Sequence, residues 1–351
     1  MKKSLIALAI AATTSTVALA QSNVAIYGVV DMGMARATAD RTDGINTKTG
    51  LGSLYAPSRL GFRGTEALDS DLSAGFTVEY GITPNTNTGI TTAREQSLGL
   101  TSKSLGAVKL GYMATLGKAE LDKFDALRGS NFAPLTALKG TTINTSSRAG
   151  NTVAYVSPVV AGGFTFGATH STDTTLANTS YGNGTKQERV IGLMADYTAG
   201  PFSVGYVYHK VNDVTRIAGR DNVEHMVGAK YAIAPTVTLA GSYQTDVAND
   251  RSTNKDIASV GAQFAVSNKI GVDVGFARLD DKTAANADAD SWGIQANYDF
   301  SKRTSAYAGY TRVSNKNGAT NVAMGATNGV TPLGTGSMTS SGFGAGLKHS
   351  F

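Results

Sequence analysis

Cysteine is missing from this 351-residue chain, tryptophan occurs once and proline seven times. Without thiols there are no disulfide staples and no thiolate metal sites. Charged residues make up only 16% of the chain, and no Lys/Arg block suits a nucleic-acid backbone. Long apolar runs are missing too. Beyond residue 20 no stretch reaches the roughly twenty residues that a transmembrane helix needs. Glycine is what the chain has in excess, with 41 residues but no G-X-Y period, which excludes collagen. Hydrophobic residues at 41%, with aromatics throughout, exclude a disordered chain.

The first twenty residues, MKKSLIALAIAATTSTVALA, have the layout of a secretory leader. Lys2 and Lys3 form a basic start, Leu5 to Ala12 is apolar, and Ala18-Leu19-Ala20 is a small-residue cleavage site. The expectation is a removable leader at 1–20 and one domain at 21–351. Removal takes two lysines and lowers the formal charge from +5 to +3.

The remaining chain alternates with period two. In Val24–Met34 the even positions Val24, Ile26, Val30, Met32 and Met34 are apolar, while Asp31 and Gly33 face the other way. Leu72–Ile82, Ser291–Phe300 and Gly342–Phe351 repeat the pattern. A soluble sandwich also alternates. Here, however, the second face is rich in glycine and polar residues, as a wet lumen requires. Aromatics stand near strand ends at Tyr27, Tyr80, Tyr197, Phe202, Tyr231, Tyr298 and Phe300, where membrane-interface girdles belong. Seven tight connections are expected, at 67–71, 101–106, 158–163, 198–201, 234–236, 267–269 and 301–303. Longer Gly/Asn/Thr/Asp excursions alternate with them, at 36–57, 113–149, 171–186, 213–222, 246–255, 281–289 and 314–339. Only a closed sheet can leave no unpaired edge in lipid. The pattern therefore predicts an all-β fold, a 16-stranded antiparallel transmembrane β-barrel wide enough for an aqueous channel.

Four stretches resemble the general-diffusion porins of Gram-negative β-proteobacteria, the Neisseria/Bordetella/Burkholderia type. They are VAIYGVVDMG at 24–33, SRLGFRGTEALDSDLSAGFTVE at 58–79, RAGNTVAYVSPVVAGGF at 148–164 and GAGLKHSF at 344–351. The resemblance implies a homotrimer set in outer-membrane lipid and lipopolysaccharide. It implies passive passage of small hydrophilic solutes and ions, no catalysis and no cofactor. It also implies that the long third loop, Met113–Ala149, folds into the lumen and narrows it. Members of that family often carry a Gly-Arg pair at the end of the fifth strand. Here the place reads Gly111-Tyr112-Met113, so one basic wall residue is missing or replaced.

Parity places Arg59, Arg63, Glu79 and Lys109 on the lumenal face, and Arg148 as well if its strand is unbroken. Arg94 shares parity with Leu98 and Leu100, so it needs a bulge to turn inward. The resemblance adds weight to Arg59, Arg94 and Arg148 as a basic wall facing the third loop, with Glu79 beside them. That loop offers acids at Glu120, Asp122 and Asp125. The expected mechanism is a transverse field between these acids and the arginines, with a lean toward anions. Other motifs carry no such weight. GYMATLGK at 111–118 has the wrong spacing for a phosphate loop, and the four histidines show no metal-ligand spacing. A substrate-selective channel and a barrel enzyme or structural protein remain as alternatives.

Overall fold

The computed structural model describes residues 23–41, 44–139, 148–173, 187–214, 217–324 and 339–351. The expected leader lies outside them. Among the described residues seventeen strands run in chain order. They are β1 (Asn23–Arg41), β2 (Gly44–Gly52), β3 (Arg59–Ala67), β4 (Leu72–Ile82), β5 (Ile90–Ser102), β6 (Gly106–Ala114), β7 (Arg148–Val156), β8 (Phe164–Ser171) and β9 (Arg189–Ala199). The second half comprises β10 (Phe202–Asn212), β11 (Asn222–Ala234), β12 (Val237–Ala248), β13 (Asn254–Ala265), β14 (Ile270–Asp281), β15 (Ala289–Asp299), β16 (Thr304–Asn315) and β17 (Thr339–Ser350). Two helices, α1 (Leu116–Phe124) and α2 (Pro134–Lys139), lie between β6 and β7.

Every neighbouring pair is antiparallel, and β17 pairs back onto β1 from Val29↔Ser350 to Ala39↔Ser340. The sheet is therefore closed. Seventeen strands make sixteen staves because β2 and β3 are two halves of one stave. The 19-residue β1 pairs with β3 through Asn23–Val29 and with β2 through Gly33–Arg41. The excursion expected at 36–57 is thus mostly strand: β1 continues to Arg41 and returns as β2. The seven tight connections all fall between strands of consecutive hairpins, and β1 meets the C-terminal residue at that end. Gly28 and Phe351 exchange backbone hydrogen bonds of 3.2 and 3.1 Å.

Alternation decides which face each side chain takes. The outer face carries exposed Ile26, Leu98, Leu110, Leu193, Val260, Trp292 and Leu347, an apolar belt suited to lipid. Aromatic pairs mark its short-turn rim: Phe164–Tyr197, Phe202–Tyr231 and Tyr298–Phe300. Tyr27 is an exception among the expected girdle residues. Its ring lies against Gly61 and under the Arg63 guanidinium, on the inner face. It stands at an odd position of β1, opposite the outward Val24 and Ile26.

The buried apolar cluster is not between layers of sheet. It sits under the chain between β6 and β7, where Phe124, Leu127, Phe132, Leu135 and Leu138 are at most 2% exposed. Burying such side chains contributes roughly 1.5–3 kcal/mol each, which holds this segment to the wall.

Candidate functional site

The first six staves carry a basic cluster on their inner face. Glu79 on β4 sits at its centre. Its carboxylate takes the Arg94 Nε at 2.6 Å and stands 3.5 Å from the Arg59 Nε. Arg94 reaches it because the β4–β5 register slips there. Glu79 pairs with Glu95 and Tyr80 with Ala93, which leaves Arg94 as the extra residue of a bulge. Arg148 Nε donates to the Arg94 carbonyl at 2.6 Å. A second bulge accompanies it. Gly111 pairs with Thr152 but Met113 with Ala149, so the unbroken parity assumed for Arg148 does not hold. Asn151 within that bulge has a left-handed φ of 48°. Lys109 lies 3.2 Å from Glu95, a carboxylate that alternation alone did not single out. Arg63 stacks 4.9 Å above the Tyr27 ring, toward the short-turn end. Five cations thus share two carboxylates, so the positive charge is only partly neutralised. Low-dielectric walls focus the remainder into the lumen.

The segment after β6 packs on the inner face of other staves. Thr115 caps α1, its hydroxyl accepting the Lys118 N–H at 3.2 Å. Phe124 covers Gly205 on β10 and Gly228 on β11, where a methyl group would overlap its ring. Farther on, the Phe132 carbonyl presses on Gly293 of β15 so closely that no Cβ fits. Gln263 Nε2 donates to the Ala126 carbonyl at 2.7 Å, and the Ser130 hydroxyl donates to Gln295 Oε1 at 2.6 Å. The expected loop covered Met113–Ala149; residues 140–147 of it lie outside the described residues.

The three acids of this segment have different surroundings. Asp122 pairs with Lys118 one turn earlier and is half-exposed toward the lumen. Glu120 is turned to the wall, 7% exposed and over Gly205. Lys123 is 3.8 Å away, yet burial outweighs that attraction and pushes the Glu120 carboxyl up from its ordinary value. Asp125 shapes the next turn, accepting the Leu127 N–H at 3.0 Å and the Gly129 N–H at 2.7 Å. Of the three, Asp122 is the one whose side chain is not buried.

A second anchor was not singled out from sequence. Asp31 points inward from β1 and is fully buried. Its carboxylate accepts the N–H groups of Leu54, Tyr55 and Ala56 at 2.9, 3.2 and 2.9 Å, and the Tyr307 hydroxyl at 2.6 Å. These bonds satisfy the backbone where the second stave breaks, at 53–58. The break turns Leu54 and Tyr55 inward, and the Asn131 N–H donates to the Leu54 carbonyl at 2.9 Å. The inner segment is therefore tied to the wall at both sides of the lumen. The signal available in sequence was a lone carboxylate on the small-residue face of β1.

Among the described residues no group of His, Cys, Asp and Glu could hold a metal ion, and no side-chain constellation suggests a nucleophile.

Comparison with known proteins agrees in kind. Residues 7–318 match the family model described as Gram-negative porin. The chain is 29% identical to outer membrane porin protein 32 of Delftia acidovorans, over 91% of this chain and 92% of that one. Among solved structures it is similar to the anion-selective porin from Comamonas acidovorans, with a TM-score of 0.79, 25% identity, and 94% and 100% of the two chains covered. It shares its fold with the trimer form of OmpT from Vibrio cholerae, with a TM-score of 0.64 and 16% identity over 94% and 99% of the chains.

Proposed function

The chain belongs to the Gram-negative porin family, and from that premise we propose that it is an outer-membrane channel passing small hydrophilic solutes and ions by diffusion, with a preference for anions. The observation that carries the preference is the wall of Arg59, Arg63, Arg94, Lys109 and Arg148 around Glu79 and Glu95 among the described residues. The inner segment narrows the lumen from the other side, with Asp122 facing that wall. A solute passing between them crosses a field directed from the arginines to the carboxylate. A dipolar molecule aligns and keeps its polar contacts, whereas an apolar one loses ordered water without replacement.

The Comamonas porin that shares the fold is described as anion-selective, which supports this reading. The trimer form of the Vibrio protein supports a homotrimer here, seated in outer-membrane lipid and lipopolysaccharide. Residues 1–20 act as the export leader in this reading.

The test is a reversal potential across a planar bilayer in a KCl gradient. Replacing Arg59 and Arg148 by Gln removes two wall charges. At an approach of about 4 Å in bulk water each contributes about 1 kcal/mol to a passing anion, roughly fivefold in permeability ratio. The reversal potential moves toward zero in the double variant. An unchanged value removes the arginine wall from the mechanism.

A further inference from the structure

A second concave site lies in a different sector of the barrel, at the short-turn end of β13–β17. It is a cavity of about 380 Å3 lined by Arg128, Lys269, Lys302, Arg303, Lys348 and Tyr55, with Asp299 as the carboxylate among its lining residues. The cations come from four separate places: the inner segment, the β13–β14 turn, the β15–β16 turn and β17. None of them belongs to the Arg59–Arg94–Arg148 wall. We propose that this cavity is a saturable subsite for compact multivalent oxyanions, those carrying two or more negative charges, beside the path through the channel. The proposal rests on the porin reading and deepens it by naming a solute class.

Three observations carry it. Lys269, Lys302, Arg303 and Lys348 form no ion pair among the described residues, so their charge is available to a ligand. Asp299 already accepts from Asn297 Nδ2 at 3.1 Å, and Arg128 stands 3.6 Å from Asp273. Second, the floor is built rather than loose. Tyr55 stacks on Tyr307 at 5.1 Å with 23° between the rings, Lys348 Nζ sits 5.0 Å over Tyr55, and Tyr307 is held by Asp31. Third, Arg128 is held in a left-handed conformation with φ 57°, next to Gly129 at 68°. A side chain in that region costs about 1–2 kcal/mol, and the Asp125 carboxylate and the buried Leu127 supply the constraint. Such strain clusters at ligand sites. Chloride engages one cation at a time. A multivalent oxyanion can engage several, each by a charge-assisted hydrogen bond.

The experiment records single-channel chloride conductance of the full protein while inorganic phosphate, or separately citrate, is titrated in at pH 8. Saturating reduction of the current by either probe supports the site and names the oxyanion chemistry that fits it. In a Lys302→Gln/Lys348→Gln double variant the half-blocking concentration rises about tenfold, the low end of electrostatic focusing. Lys103→Gln, in the β5–β6 turn at the same end, leaves it unchanged. Open, anion-preferring channels with a strictly linear response to both probes, or equal effects of the two variants, overturn the subsite and leave the porin reading standing. Silent bilayers overturn both.

Discussion

Asp31 shows how much one side chain can decide. It is buried, carries a formal charge, and receives four hydrogen bonds from Leu54, Tyr55, Ala56 and Tyr307. Without it, the break in the second stave leaves three amide groups with no acceptor. Asp31→Asn keeps the shape but turns an amide NH2 toward donors, which leaves about two of them unpaired. Each buried unpaired donor costs about 1–3 kcal/mol, so the variant loses about 2–6 kcal/mol. A lower thermal midpoint of the detergent-solubilised protein is the expected result; an equal midpoint would show that the carboxylate is dispensable. Alternation places Asp31 inward but does not reveal this role, because its partners lie at sequence distances of 23 to 276 residues. Arg94 fails in the opposite way. Its own strand sends it to lipid, and only the one-residue slip against β4 brings it to Glu79.

At the scale of elements, the inner segment and its seat must be considered together. α1 has only nine residues, a single N-cap and no independent claim to stability. It persists because Phe124 lies over two inward glycines on paired positions of β10 and β11, Gly205 and Gly228. A side chain at either position occupies the space of the ring. Gly228→Val forces Phe124 off the wall at an overpacking cost of about 1–3 kcal/mol. The segment then shifts and the single-channel conductance changes, whereas the barrel still forms because β11 remains a strand. Identical conductance in this variant would mean that α1 does not border the passage. The turn that follows α1 depends on Asp125, and this explains why an acid that looked available for the lumen is engaged by backbone instead.

For the whole molecule the governing facts are closure and partial neutralisation. Closure removes every sheet edge, since β17 returns to β1 over eleven residue pairs. Partial neutralisation leaves a positive field in a water-filled space, and salt screens such a field. The Debye length falls from about 10 Å at 0.1 M to about 3 Å at 1 M. Anion preference therefore shrinks as KCl is raised, with reversal potentials at a fixed concentration ratio moving toward zero. A preference that is independent of ionic strength would point to size or shape as its cause rather than charge.

The sequence by itself determined the closed barrel, its sixteen staves, the side of the short turns and the inward face of Arg59, Glu79 and Lys109. A two-residue period and tight turns are local, and lipid permits only one way to satisfy the backbone of such strands. Tertiary structure alone decided the rest. It divided the second stave, moved Tyr27 from the girdle to the lumen, and turned Glu120 to the wall. It also gathered the basic cavity at the short-turn mouth from residues between 55 and 348. Those outcomes depend on one-residue slips in register and on which distant side chain fills a given space. Neither leaves a periodic mark along the chain.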